Sequence, residues 1–310
     1  MTQNEPPARV LSTPRSQLQL LRDVVSLTKP RITGMVLFTT FGGYWLAGKF
    51  FGVSPSLRVL APLLVGTAMV VGGANALNMY VERDSDRLMA RTRLRPLAAR
   101  RLAPEVALVA GVGLGALSVP LMTFAVSAMT GLLAAIALLS YVVVYTPLKR
   151  KTPTALLIGA VPGAIPPLMG WSAARGTIDG PGIVLFGIMF FWQVPHFLAI
   201  ATFRKAEYAR ANMAVLPVVA GDRITRHHVV RYLAALLLTS ILLVPYGVGG
   251  RIYFATAIVL GLGFFGVGLW GLRPSAGDRW ARGLFFTSMI YLTGMFVALT
   301  LGGATRAVGL

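Results

Sequence analysis

The chain contains no cysteine, which removes disulfide frameworks and thiolate chemistry at once. Acid is nearly as scarce: ten Asp and Glu stand against 29 Lys and Arg among 310 residues. Charged residues make up 13% of the chain, about half of what a soluble domain carries. No ten-residue stretches alternate apolar and polar residues, which speaks against a transmembrane β-barrel. No linker is long enough to separate two domains. The first 28 residues hold no apolar run directly after a basic start, so no cleavable signal is expected there. They are polar, contain Arg and are poor in acid; a mitochondrial transit segment is the alternative to a cytoplasmic tail.

What the chain has in abundance is apolar sequence. Hydrophobic residues account for 55% and the mean hydropathy is +0.71. A bilayer core takes roughly 20 apolar residues to cross as a helix, and backbone in lipid must satisfy its own hydrogen bonds. Nine stretches qualify: 32–51, 57–80, 103–123, 126–146, 154–172, 182–203, 230–248, 252–271 and 283–302. The expected fold is therefore all-α, a polytopic bundle of about nine transmembrane helices around a central cavity. A polar cytoplasmic segment covers 1–28, one membrane domain 29–303, and a short outside tail 304–310.

The net charge of +19 invites a nucleic-acid reading, but its distribution speaks against one. With the N-terminus inside, every Lys and Arg except Lys49, Arg58, Arg175, Arg251 and Arg306 falls on the inner side. This is the positive-inside asymmetry of a membrane protein. It predicts an N-in, C-out chain with no nucleic-acid partner, seated in a bacterial-type inner membrane, with the mitochondrial inner membrane as the alternative.

Three of the ten acids, Glu82, Asp84 and Asp86, sit within five residues. At about 100° per residue, Asn75, Asn78, Glu82 and Asp86 share one helical face, while Asp84 points away. Asn inside a span is costly and faces a partner or a cavity. Oxygen ligands on one face suit magnesium, which takes one or two carboxylates together with substrate phosphates. Arg83, Arg87, Arg91, Arg93, Arg95, Arg100 and Arg101 crowd the same region, and Arg reads phosphate in a bidentate manner. Spacing alone leaves a second reading open, in which these acids simply pair with the arginines of a basic loop.

A second group ends the sixth expected span, where Gln193, His196, Arg204 and Glu207 fall on one face of a continuous helix. His196 would lie roughly 12 Å from the cytoplasmic end, as an interhelix hydrogen-bond donor or as a ligand. Tyr145 and Lys149 end the fourth span, where belt anchoring and snorkelling are the plain alternatives to a site role. His227 and His228 read as surface residues. The GxxxG spacings Gly111/Gly115 and Gly159/Gly163 read as tight helix packing. Pro162, Pro166, Pro167 and Pro195 are consistent with a nearby cavity or with simple kinks.

The run NALNMYVERDSDRLMARTRLRPLA resembles the first signature of the UbiA-type intramembrane prenyltransferases. Asn78, Glu82 and Asp86 stand at its metal positions, followed by Arg91, Thr92, Arg95, Pro96 and Leu97. LTKPRI at 27–32, YTPLKRKTP at 145–153, GAVPGAIPPLMGW at 159–171, and VPHFLAI with RKAEYARANMAVLP ending at 217 resemble the heme-prenylating branch of that family.

The resemblance implies farnesyl diphosphate as donor, protoheme IX as acceptor and Mg2+ as cofactor, with the active site facing the cytoplasm. Asn78, Glu82 and Asp86 carry over as the metal–diphosphate face, Arg91, Arg95 and Lys149 as diphosphate contacts, and His196 as the residue that holds or orients heme. Asn75, Tyr145, Arg204 and Glu207 are further expected substrate contacts. A heme-modifying or oxidase-assembly membrane protein is the implied receiver of product. Two departures stand out. Arg204 and Tyr208 occupy positions where quinone-type members carry aspartates, and Glu replaces Asp at 82 and 207. A transporter, a quinone-precursor prenyltransferase and a non-catalytic heme carrier are the competing readings.

Overall fold

In the computed structural model, residues 16–273 and 275–301 are described; the tail expected at 304–310 and the first fifteen residues lie outside them. Twelve helices follow in order: α1 (Gln17–Leu27), α2 (Pro30–Phe51), α3 (Leu57–Asp86), α4 (Pro104–Ala125), α5 (Ala128–Leu148), α6 (Ala155–Arg175), α7 (Gly180–Phe203), α8 (Lys205–Arg210), α9 (Leu216–Val219), α10 (Gly221–Ile241), α11 (Arg251–Trp270) and α12 (Asp278–Leu301). No strand occurs among the described residues.

Seven of these helices, α3 to α7 with α11 and α12, are long and apolar enough to cross a membrane. The remaining two expected spans correspond to α2 and α10, which match them in length. One boundary needs correcting. The seventh span, expected at 230–248, is instead helical from Gly221 to Ile241 and turns at 242–247. Its first turns carry Asp222, Arg223, Arg226, His227 and His228, so hydropathy alone placed the start too late. The helix is held there by Lys205–Asp222 at 2.8 Å and by Arg226, which donates to the carbonyls of Arg273 and Ala276.

Two apolar cores organise the bundle. One joins α2 through α6 around Tyr44, Leu63, Met122, Leu133 and Met169; the other joins α6, α7, α10, α11 and α12 around Trp171, Trp192, Leu233, Phe264 and Trp280. Helix α2 lies against α6 with almost no side chain between them. A Cβ on Gly170 would strike the Thr40 carbonyl, and one on Gly43 would strike the Pro167 carbonyl. Small residues permit this backbone contact where lipid gives no hydrophobic drive.

The GxxxG glycines pack as expected. Gly111 sits against Leu77, Gly115 against Leu138, Gly159 under the Tyr145 ring and Gly163 under Gln193. Pro162, Pro166 and Pro167 are buried and α6 runs through them unbroken. Beside them, a small apolar cavity of about 40 Å³ opens between α2, α6, α7 and α12, walled by Leu46, Pro167, Met189, Met295 and Phe296.

Candidate active site at the ends of α3, α5 and α7

The oxygen-rich stripe read from the sequence is real geometry. Asn75, Asn78, Glu82 and Asp86 are all buried on α3, while the Asp84 side chain is exposed beside Arg83 and Arg87. Burying two carboxylates in an apolar bundle requires positive partners, and three arrive from three segments. Arg95 donates to Asp86 Oδ2 at 2.7 Å. Lys149, at the end of α5, pairs with Glu82. Lys29 Nζ donates to Asn78 Oδ1 at 3.4 Å.

Lys29 was not singled out as a site residue by the sequence, although it lies within the LTKPRI run. It joins α1 to α2 with φ +48°, in the left-handed region that a Lys adopts only when its surroundings hold it there. Asn75 Nδ2 donates to the Thr28 carbonyl, and so does the Thr33 hydroxyl. These bonds fix the corner that points Lys29 inward. Burial first, then the neighbouring Arg95 and Lys149 charges, push its ammonium down to about 7, against the pull of Glu82 and Asp86.

The end of α5 is also unusual. Residues Ser140–Tyr145 form a π-helical turn, a local widening common at functional sites. It brings Thr146 Oγ1 to the Tyr141 carbonyl at 2.8 Å and under Asn78 Nδ2 at 3.5 Å. Lys149 lies 5.7 Å from the Tyr145 ring centre. Arg91 and Tyr208 stand within electrostatic reach of Tyr145, but Arg91 is exposed and is not hydrogen-bonded to the acids as Arg95 is.

The second expected group divides. α7 ends at Phe203 and Arg204 breaks it with φ −111° and ψ 17°, so Arg204 and Glu207 do not share a continuous helix face with Gln193 and His196. They pair with each other at 3.1 Å. Deeper in the bundle, Gln193 donates to the carbonyls of Ala160 and Met189. His196 Nδ1 meets Ser288 Oγ at 2.7 Å, and Ser288 gives its hydroxyl proton to the Phe285 carbonyl. The Ser288 oxygen must then accept, which places the His196 proton on Nδ1 and leaves Nε2 with its lone pair. Trp192 stacks on His196 at 4.8 Å between ring centres and donates to the Ser288 carbonyl. α12, which carries none of the candidate residues read from the sequence, thus supplies the partner of His196. His227 is exposed and bonded to its own helix, as a surface residue should be.

The residues fit a bound cation. Asp86 Oδ1 is buried without a hydrogen-bond partner among the described residues, so one carboxylate oxygen at the centre of this basic cage is unclaimed. No cluster of three or more His, Asp or Glu forms among those residues.

Two carboxylates and two carboxamides are thus buried on α3 among Arg95, Lys149 and Lys29. Residues 36–290 match the model of the UbiA prenyltransferase family, and the chain belongs to that family. It is a multi-pass membrane enzyme of the prenyltransferase class.

Among its relatives, a protoheme IX farnesyltransferase of Sorangium cellulosum strain So ce56 is 55% identical over 281 residues, covering 86% of this chain and 100% of that protein. One of Myxococcus xanthus strain DK1622 is 49% identical over 284 residues, covering 92% and 95%. Among solved structures, a digeranylgeranylglyceryl phosphate synthase superposes with a TM-score of 0.80 at 15% identity over 92% of this chain and 99% of that one. A UbiA homolog from Archaeoglobus fulgidus bound to DMAPP and Mg2+ superposes with a TM-score of 0.62 at 17% identity, covering 90% and 99%. These last two share the fold.

Proposed function

We propose that the chain transfers the farnesyl group of farnesyl diphosphate to a vinyl group of protoheme IX, giving heme o and diphosphate. The observation that carries this is the caged pair Glu82 and Asp86 with Lys149, Arg95 and Lys29 around them, in a chain whose relatives of that name match over their full length.

In the reaction the allylic C1–O bond breaks and its electron pair leaves on the diphosphate. The outer vinyl carbon of heme bonds to C1, water adds at the inner vinyl carbon, and one proton is lost. Asn78, Glu82 and Asp86 would hold magnesium, which when bound supplies Lewis-acid stabilisation of the leaving diphosphate. Arg95, Lys149 and Lys29 are fixed before the reaction at the place where negative charge develops, the arrangement that gives electrostatic preorganisation its effect. An incoming diphosphate would return Lys29 to its charged form. Apolar surroundings would keep stray water from the allylic cation. An aromatic ring such as Tyr145, which lies beside Lys149, would stabilise that cation by cation–π contact.

His196 is the residue we assign to heme, through Nε2. Arg204 and Glu207 belong to the cytoplasmic cap beside the site, where Tyr208, Met213 and Met89 pack together. Heme o is more apolar than heme, so its transfer directly to a heme-modifying or oxidase-assembly membrane protein completes the reading. A quinone precursor as acceptor is the nearest rival; Arg204 and Tyr208 in place of aspartates disfavour it. The purified protein, incubated with protoheme IX, farnesyl diphosphate and magnesium, should yield a heme heavier by one farnesyl group plus one hydroxyl group. Unmodified heme, with prenylation of an aromatic quinone precursor instead, would overturn the assignment.

We further place the site on the cytoplasmic face of an inner membrane, with α2 and α10 completing nine spans. Ser85 and Ala98 lie in the basic segment but are buried, whereas Leu94 is 71% exposed. A Leu94→Cys variant, in a chain without other cysteines, should resist an impermeant thiol reagent in intact cells and react after permeabilisation. Reaction in intact cells would invert the topology.

A further inference from the structure

Helix α1 has three faces rather than two. At about 100° per residue, Val24 and Leu27 share one arc, and this face meets the bundle: Leu27 is buried against Ala76, Met79, Leu97, Leu102 and Ala107, with Val24 packed on the same cluster, while Leu20, two turns earlier on that arc, is 50% exposed. Gln19, Arg22, Asp23 and Ser26 form a polar arc, and Asp23 is held there by Arg101 through a bidentate pair at 2.8 and 3.1 Å. The third arc carries Leu18, Leu21 and Val25, which are 56%, 59% and 47% exposed.

The helix docks at the ends of α3 and α4, where Val106 and Val109 of α4 are also exposed, and Ile32 and Met35 of α2, the next helix along the chain, are exposed in turn. Its apolar strip therefore lies at an end of the bundle that carries other exposed apolar side chains. A helix with a charged face, an apolar face and modest overall hydrophobicity lies in the plane of the membrane interface.

The same helix ends at Thr28, whose carbonyl receives Asn75 and Thr33, and the next residue is Lys29 in its left-handed conformation. We infer that α1 is an interfacial anchor seated in the cytoplasmic leaflet, and that this seat holds the Thr28–Lys29 corner so that the Lys29 ammonium stays in the diphosphate cage. The second part rests on the proposed reading of the cage; the first does not. Lys29 is thus a binding residue whose position depends on lipid, and Leu18, Leu21 and Val25 are positioning residues acting through it.

The full-length protein in phospholipid vesicles, carrying a nitroxide at Leu21→Cys, Val25→Cys or Gln19→Cys in turn, tests the seat. Labels at 21 and 25 should be relaxed by oxygen and shielded from a water-soluble nickel complex, and the label at 19 should show the reverse. Aqueous exposure at 21 and 25 overturns the proposal. So does dipolar broadening at 21 that disappears on dilution with unlabelled protein, because a second copy would then cover this face.

The coupling is read in kinetics. Leu18→Glu/Leu21→Glu should raise KM for farnesyl diphosphate about tenfold with kcat and thermal midpoint nearly unchanged, and Leu18→Ile/Leu21→Ile should behave as the parent. If Lys29→Gln leaves that KM unaltered, the reading of the cage fails, and the coupling with it. If Lys29→Gln raises KM and the double Glu variant does not, the cage stands and the coupling is wrong.

Discussion

Asp86→Asn is expected to lower turnover by about a hundredfold or more while the protein remains folded. The two oxygens of Asp86 are differently placed. One accepts from Arg95 at 2.7 Å, and an amide oxygen can keep that bond. The other is buried without a hydrogen-bond partner among the described residues, and an unpaired buried carboxylate oxygen is tolerated only where a cation completes it. Replacing the acid by its amide preserves volume and the Arg95 bond but removes the charge that attracts the cation. Loss of one preorganised electrostatic group in a closed site typically costs a factor of about 10² to 10³.

Glu82→Gln should act in the same direction through a second route, because the Lys149 ammonium loses its counter-ion. At raised magnesium the Glu82 variant should recover part of its activity. The measurement is steady-state turnover across a magnesium titration, with thermal unfolding as the control. Full turnover by both variants at low magnesium would sink the metal assignment, whatever the fold.

The contrast between these acids and the rest of the site shows what a sequence can disclose. The α3 stripe was legible because its members lie on one unbroken helix, where residue spacing alone converts to direction. Asp84 was separable from its neighbours for the same reason, and the structure finds it exposed beside Arg83 and Arg87. The Arg204–Glu207 pair was misplaced because the same arithmetic was carried past Phe203, where the helix ends. A break of one residue rotates everything beyond it.

Lys29 and Ser288 were hidden for a different reason. Each reaches its partner across a long stretch of chain, Lys29 to Asn78 and Ser288 to His196, and periodicity says nothing about which helices are neighbours. For Lys29 a signal did exist: a Lys placed directly before the proline that opens a span, inside a run that matched the family. For Ser288 there was none, since a serine in an apolar helix reads as a small packing residue. The π-helical turn before Thr146 was likewise invisible, because SYVVVY is ordinary span sequence. The late start assigned to α10 reflects a real physical ambiguity, a helix whose first turns are charged and whose remainder is apolar.

His196→Ala is expected to weaken heme binding about tenfold or more, roughly 1.4 kcal/mol, while leaving the affinity for farnesyl diphosphate nearly intact. Two observations frame this. The imidazole lies roughly two helical turns before the end of α7, and it bonds to Ser288 rather than to a residue of the basic cage. Its Nδ1 is committed to Ser288, whose own proton is committed to Phe285.

That chain of bonds is the arrangement in which a second group orients a ligating histidine and fixes its tautomer, leaving Nε2 as the available ligand for iron. The same bond also supports a plainer role, since His196 and Trp192 together latch α7 to α12 through Ser288. The two roles part in the variants. If His196 only latches, His196→Ala and Ser288→Ala should lower the thermal midpoint alike, and both substrates should suffer together.

If His196 serves iron, His196→Ala should change the absorption spectrum of bound heme. Ser288→Ala should shift it less, because Nε2 survives while its orientation loosens. His196→Gln should restore the interhelix bond and the midpoint without restoring the spectrum. Normal heme affinity and an unaltered spectrum in His196→Ala would remove heme from this residue and leave α7 with a structural histidine.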